Sequence, residues 1–345
     1  MLAFATTSLL GYALDAPKTR LKAAFNQPAD AVLACPSTKA PLVTERSVIG
    51  TVERTFKLST DEGVRYPTNA VYADLLPSAG RTESSAISTE ELVQELRDAW
   101  GSRTKTQLFR SPLISFLYER GWREGFKNAG FPGIDAEFAE VDEFFGPAAG
   151  GVVVDMSCGS GLMTRRLASS GKYGRVLALD YSESMLGETR RRLREEQVKP
   201  MPELCRADVA SLPLQDGSVD AMHAGAAMHC WPQLEEGLRE IRRALKPGGV
   251  FFATTFYQGA YGVPMQDDGG GGSFRFFEDE AELVDLFVGA RSMVKVASWR
   301  RHGWPPRASQ AASEGLGLPF ALVRRGPASQ TPPRGRVLSA RGRPS

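Results

Sequence analysis

The stretch VVVDMSCGSGLMTRRLA, residues 152–168, decides how the rest of the chain is read. A run of three valines suits a strand buried on both faces. Asp155 follows, then a turn of Ser157, Cys158, Gly159, Ser160 and Gly161, then a segment with helical spacing. Glycines between a strand and a helix let the backbone approach a ligand closely and aim amide N–H groups at it. Outward from this unit the pattern predicts further strands at 175–180, 203–207, 219–226 and 250–256, with the first at 151–155. Helices are expected at 162–170, 184–197 and 233–245, the last ended by Lys246-Pro247-Gly248-Gly249, since Pro cannot continue a helix and Gly supplies the left-handed exit. Such alternation is the signature of a mostly parallel sheet covered by helices on both faces. Two more strands, near 293–299 and 318–324, complete the set.

The ligand of the turn follows from spacing and charge. A dinucleotide turn requires G-x-G-x-x-G, yet Thr164 occupies the third position, where a side chain opposes close helix packing. Asp155, just ahead of the turn, suits a ligand bearing an ammonium and a sulfonium, and so favours S-adenosylmethionine. Asp180 lies at the end of the next strand, about 20 residues beyond the glycines, where an acid holds ribose hydroxyls. Asp208 follows the third strand, in place to accept from an adenine amino group, with Val209 beside the ring. The candidate cofactor contacts are therefore Asp155, Ser157, Cys158, Gly159, Ser160, Gly161, Asp180, Tyr181, Met185, Asp208, Val209 and Ala224. His229, after the fourth strand, is the candidate general base, and a pocket-wall role stays open beside it. His223, inside that strand, reads as a packed core histidine. An Asn-Pro-Pro-Tyr loop, the usual arrangement for amino-group acceptors in nucleic acid or protein, is absent.

Composition leaves room for one sizeable catalytic domain with additions: 345 residues, 42% hydrophobic and 24% charged, with a formal net charge of +2 that selects neither nucleic acid nor membrane. No apolar run reaches the roughly 18 residues that span a bilayer. Residues 1–30, with Lys18, Arg20 and Lys22 against the single acid Asp15, resemble a targeting leader or are an untargeted start. Residues 31–85 read as a small β-rich module. Residues 86–326 hold the α/β domain, entered through helical segments near 88–99, 111–128 and 135–145. Within it, 258–273 reads as a loop and 300–317 as an irregular insert. The tail, 327–345, carries arginines and no acid; it reads as a solvated segment, with an RNA or membrane-surface contact as the other reading.

The motifs LFRSPLISFLYERGWREGF, VDMSCGSG, ALDYSESML, RADVASLPL, SVDAMHAGAAMHCWP and EIRRALKPGGVFFATTF occur in this order between residues 108 and 256. Together they resemble the plastid-associated S-adenosylmethionine-dependent methyltransferases of plants and algae. These are relatives of the ubiquinone and menaquinone biosynthesis methyltransferases, with a methyltransferase type 11 domain. The resemblance implies an α/β, Rossmann-like class I fold: a seven-stranded mostly parallel sheet with helices on both faces, plus the small N-terminal module. It further implies S-adenosyl-L-methionine as cofactor, a small apolar or quinone- or lipid-like acceptor, and a chloroplast or plastoglobule setting without a transmembrane segment. Family members carry a zinc-ribbon-like module there, but LACPSTKAPL offers Cys35 with Thr38 in the second ligand position, and FKLSTDEGVRYPTN has no thiol. A lone thiolate cannot build a four-coordinate site, so no metal is expected. Helical residues Phe109, Arg110, Tyr118, Arg120 and Trp122 are candidate lid residues, and Phe274, Phe276 and Phe277 candidate lining for an apolar acceptor. No nucleic acid partner is expected. An RNA methyltransferase and a cofactor-binding protein without catalysis remain as the alternatives.

Overall fold

The computed structural model describes residues 29–49, 52–59, 63–82, 133–255, 277, 282, 283, 286, 293–300 and 317–324. The expected leader, the helical segments between 88 and 128 with their aromatic and arginine candidates, the 258–273 loop, Phe274, Phe276, the insert and the tail lie outside these residues, apart from the insert's two ends.

In chain order the elements are β1 (Leu42–Ile49), β2 (Val52–Ser59), β3 (Arg65–Thr68), β4 (Ala73–Asp74), α1 (Ile134–Phe144), β5 (Val152–Met156), α2 (Leu162–Ser169), β6 (Arg175–Asp180), α3 (Glu183–Glu195), β7 (Glu203–Arg206), β8 (Val219–Ala224), α4 (Leu234–Ala244), β9 (Leu245–Thr254), β10 (Met293–Arg300) and β11 (Gly317–Arg324). The seven strands from β5 onward are ordered β7-β6-β5-β8-β9-β11-β10. Pairing is parallel from β7 through β9, and β11 lies antiparallel between β9 and β10. The seven-stranded, mostly parallel, Rossmann-like sheet expected from the alternation is thus present. Strand order reverses on either side of β5, between β6 and β8, and that switch point is where open α/β sheets place ligands.

Successive residues of the central strands feed two separate cores, as the period of a strand requires. Val153, Ala178, Ala221 and Phe252 pack with Val141 and Phe145 at α1, Met163 and Leu167 of α2, and Leu186 and Leu193 of α3. Their neighbours Val154, Leu177, Leu179, Met222 and Phe251 pack on the opposite face with Leu234, Leu238 and Ile241 of α4. The all-apolar runs of β5 and β6 reflect this double burial. Phe277 is fully buried in the α4-side core, which accounts for it as packing.

The N-terminal segment shares this sheet. β1 to β4 form an antiparallel meander, and β4 pairs in parallel with β7, extending the sheet to eleven strands. Leu33, Cys35, Leu42, Tyr66 and Leu75 belong to the same core as Val154 and Leu177. Arg175, at the start of β6, pairs with Asp30 at 2.8 Å and Glu203 at 2.7 Å. The Cys35 thiol is hydrogen-bonded to the Tyr66 hydroxyl at 3.1 Å. Among the described residues no cluster of three or more His, Cys, Asp or Glu side chains is arranged to hold a metal, and no helix is long and apolar enough to cross a membrane.

One boundary departs from expectation. The helix ends at Ala244 and Leu245 is already extended, so Lys246 to Gly249 belong to β9 rather than to a turn ahead of it. The register jumps there, from Val219 opposite Leu245 to Ala221 opposite Val250. Gly249 is required, because a Cβ would lie 2.9 Å from the Lys246 carbonyl oxygen and 3.1 Å from that of Asp220.

Leu33 is fully buried and bridges Leu214 across the two parts of the chain. Leu33→Ala is expected to lower the free energy of unfolding by about 2–5 kcal/mol. It should do so in a single transition seen alike by circular dichroism and tryptophan fluorescence. A separate early transition would show that the N-terminal strands do not share the core.

Candidate functional site

The turn after β5 is a backbone held in unusual conformations. Ser157, Gly159 and Gly161 have positive φ of 52°, 55° and 78°. At Gly161, the N-cap of α2, a Cβ would meet Thr189 Cγ2 at 2.6 Å, so both conformation and space demand glycine. Ser157 has no such freedom, and a left-handed L residue costs about 1–2 kcal/mol. Its hydroxyl accepts from Trp231 Nε1 at 3.0 Å, which ties the turn to the loop after β8. A second non-glycine residue with positive φ, Ala226 at 50°, occupies that loop, and its amide donates to Thr254 Oγ1 at 2.7 Å. Strained residues on both sides of a switch point mark a functional site.

Asp180 organises the turn from β6. Its Oδ2 accepts from the Gly159 amide and its Oδ1 from the Ser182 amide, both at 2.8 Å. The Tyr181 amide adds to these two, and a carboxylate with about four acceptor positions keeps capacity for a further donor. Burial, aided by the nearby Asp155 charge, pushes the Asp180 carboxyl up to about 6, against the backbone amides that hold it down. Cys158 donates its amide to Leu179, and Thr189 Oγ1 donates to the Gly159 carbonyl at 2.7 Å. Burial and the Asp180 and Asp155 charges hold the Cys158 thiol well above its usual range; burial and Asp180 push Cys230 up to about 12. Both thiols are therefore neutral, and the loop after β8 lies within reach of the β6 tip. The Ser160 hydroxyl is buried with no hydrogen-bond partner among the described residues.

Asp155, at the end of β5, is enclosed by the protein. It is 1% exposed. Its Oδ2 accepts from Thr164 Oγ1 at 2.5 Å and its Oδ1 bonds His223 Nδ1 at 2.8 Å. It underlies the turn, with both carboxylate oxygens bonded to side chains of the protein. Thr164, read only as an obstacle to dinucleotides, is its anchor. His223 is buried as expected, but as a partner of Asp155 and of Glu137, whose Oε1 lies 3.6 Å from Nε2. Glu137 carries no sequence signal, being one acid among several on an ordinary helix.

The outer candidates line the same strand ends. Asp208 caps the turn Val209–Ser211, accepting from the Ala210 amide at 2.9 Å, and Val209 is buried. Tyr181 is 39% exposed beside Asp180, with the Arg206 guanidinium 5.8 Å from its ring centroid. Met185, at the start of α3, and Ala224, at the end of β8, are buried. His229 lies in the turn Met228–Cys230, and burial depresses its imidazole to about 3. It is neutral at physiological pH and a weak base.

The chain matches known sequences over this same region. The family described as "Methyltransferase domain" matches residues 154–253. Two chloroplastic proteins of Arabidopsis thaliana, each described as an uncharacterized methyltransferase, are 52% identical over 162 residues and 51% identical over 160. The alignments cover 46% of both chains in the first case and 45% of both in the second, so the chain spans about half the length of these relatives. A demethylmenaquinone methyltransferase of Desulfitobacterium hafniense is 29% identical over 165 residues, 48% of this chain and 59% of that one. The family match spans the glycine turn and its partners on β6 and β8.

Proposed function

We propose that this protein is an S-adenosylmethionine-dependent methyltransferase of plastids, acting on a small apolar acceptor of the quinone or lipid kind. The observation that carries the cofactor is the Asp180 carboxylate at the switch point, held by backbone amides and able to accept from a ribose hydroxyl besides. The buried Ser160 hydroxyl supplies a further polar group in the turn. The names of the relatives support the rest: a demethylmenaquinone methyltransferase for the acceptor and chloroplastic proteins for the setting.

In this reading Asp180 holds the ribose, Asp208 accepts from the adenine amino group, and Tyr181, Met185 and Val209 flank the ring. Ser157 to Gly161, with Ala224, bring backbone against the amino-acid portion, and Asp155 contributes negative charge from beneath. Bound S-adenosylmethionine supplies a methyl group on a sulfonium, already activated for in-line displacement. The protein's contribution is placement and exclusion of water, and near-attack geometry is worth roughly 7–11 kcal/mol. His229, neutral and buried, forms wall rather than base, so an acceptor that must lose a proton loses it to another group.

Binding of S-adenosylhomocysteine, measured by calorimetry, tests the cofactor site. Asp180→Ala is expected to weaken it roughly 10- to 100-fold, the worth of one hydrogen bond to a charged group. Ribose hydroxyls favour the ionised carboxylate, so wild-type affinity should hold above about pH 6 and decline as pH falls through the range where Asp180 takes up its proton; Asp180→Asn should abolish that decline. Unchanged affinity in Asp180→Ala would remove the assignment.

The acceptor is tested with labelled cofactor and fractionated plastid metabolites. Removing residues 327–345 should leave the labelling of an apolar fraction intact. Tight RNA binding that disappears with the tail would instead favour an RNA acceptor.

A further inference from the structure

Three ionisable side chains from three elements lie buried behind the glycine turn: Asp155 on β5 and Glu137 on α1, each 1% exposed, and His223 on β8, 2% exposed. His223 stands between the carboxylates, with Nδ1 2.8 Å from Asp155 Oδ1 and Nε2 3.6 Å from Glu137 Oε1. Its ring stacks on Phe252, centroids 6.0 Å apart. Gly225 leaves it room, since a Cβ there would lie 2.8 Å from His223 Cε1 and 3.2 Å from Glu137 Oε1.

The connections run on at both ends. Asp155 reaches Thr164, in the first turn of the helix that the glycines open. Glu137 Oε1 accepts from Thr254 Oγ1 at 3.2 Å, and that hydroxyl oxygen accepts from the Ala226 amide at 2.7 Å. Four hydrogen bonds and one ion-pair contact of 3.6 Å therefore link Thr164, beside the turn after β5, to Ala226 in the loop after β8.

Two carboxylates buried this close together repel, and each loses its hydration. Either one takes up a proton or a cation separates them. Burial disfavours a charged His223, but Asp155 and Glu137 outweigh it and raise the imidazole to about 9. The charged groups facing the ring are Asp155 from β5 and Glu137 from α1, with Asp180 of β6 acting on Asp155 from beyond. From β9 it meets Phe252 and from the turn the neutral Cys158 thiol lies near Asp155.

We infer that Glu137, His223 and Asp155 are positioning residues for the cofactor: the imidazolium of His223 bridges two buried carboxylates and, through Asp155 and Thr254, fixes the turn after β5 and the loop after β8 in one mutual arrangement. The inference rests on the cofactor reading above, because only a ligand lying between the two loops makes their mutual placement matter.

The test uses the full chain with 13C-labelled histidine. There are three histidines, and His223→Gln identifies the resonance. At pH 7.5 that resonance should have the imidazolium shift, converting only near pH 9. Saturating S-adenosylhomocysteine, which binds the loop arrangement that the imidazolium holds, should raise the midpoint by about half a pH unit or more, as linkage requires. 5′-Methylthioadenosine, which lacks the amino-acid portion, should leave it in place. His223→Gln should bind S-adenosylhomocysteine about tenfold more weakly at pH 7.5, the scale of a typical coupling between sites. If that variant does not fold, Glu137→Gln keeps the ring and gives the same comparison, with a lowered His223 midpoint besides.

A neutral imidazole at pH 7.5, a midpoint that S-adenosylhomocysteine fails to raise, or variant affinities equal to wild type would each overturn the inference. Failure of the wild type to bind S-adenosylhomocysteine at all would instead remove the cofactor reading, and with it the role given to the three residues, while the resonance would still decide whether the bridge is ionic.

Discussion

The hydrogen bond from the Gly159 amide to Asp180, at 2.8 Å, is the constraint on which the candidate site depends. A turn in which Ser157, Gly159 and Gly161 all have positive φ cannot hold its shape by local bonding alone. It is held from outside on every side: by Asp180 from β6, by Thr189 from α3, and by Trp231 from the loop after β8. Each anchor is itself fixed by burial or by a sheet register, so the turn inherits the rigidity of the sheet. That is why a strand tip, and not a free loop, positions the ligand-facing backbone.

The electrostatics follow from the same geometry. Asp155 and Asp180 stand at the ends of adjacent strands, paired in register from Val152 opposite Arg175 to Met156 opposite Leu179. Burial chiefly, with the neighbouring Asp155 charge adding to it, pushes the Asp180 carboxyl up to about 6. The structure treats the pair unequally. Asp155 is given His223 and Thr164 as partners and is withdrawn from solvent, while Asp180 is bonded only to backbone amides and keeps capacity for a ligand. One acid is thereby structural in its contacts and electrostatic in its effect; the other remains available to bind.

Much of this was legible in the sequence. Strand and helix limits from β5 to α4 fall within a residue or two of expectation because runs buried on both faces and helices with one apolar stripe have distinct periods. Asp180 and the glycine turn were legible because strand, turn and helix are adjacent in the chain. The Asp155–His223 bond was not, since its partners lie 68 residues apart and meet only once β8 pairs with β5. Glu137 is further removed, 117 positions from Thr254, and an acid on an amphipathic helix looks like a solvated one. The extension of the sheet through β4 was equally hidden: a strand of two residues has no periodicity to read.

That short strand explains how the N-terminal segment is ordered by means other than the single cysteine of its described part. Four strands of this size bury too little surface to stand alone. They borrow the α4-side core through Leu33, Leu42, Tyr66 and Leu75, and they are pinned by Asp30 to Arg175 and by Lys39 to Glu240. The pinning reaches the cofactor edge. Asp74 of β4 pairs with Arg206 at 3.0 Å, and Arg206 contacts both the Tyr181 carbonyl and the Tyr181 ring, next to Asp180. The segment is held by its attachment to the sheet. The attachment ends one residue from the carboxylate that organises the site.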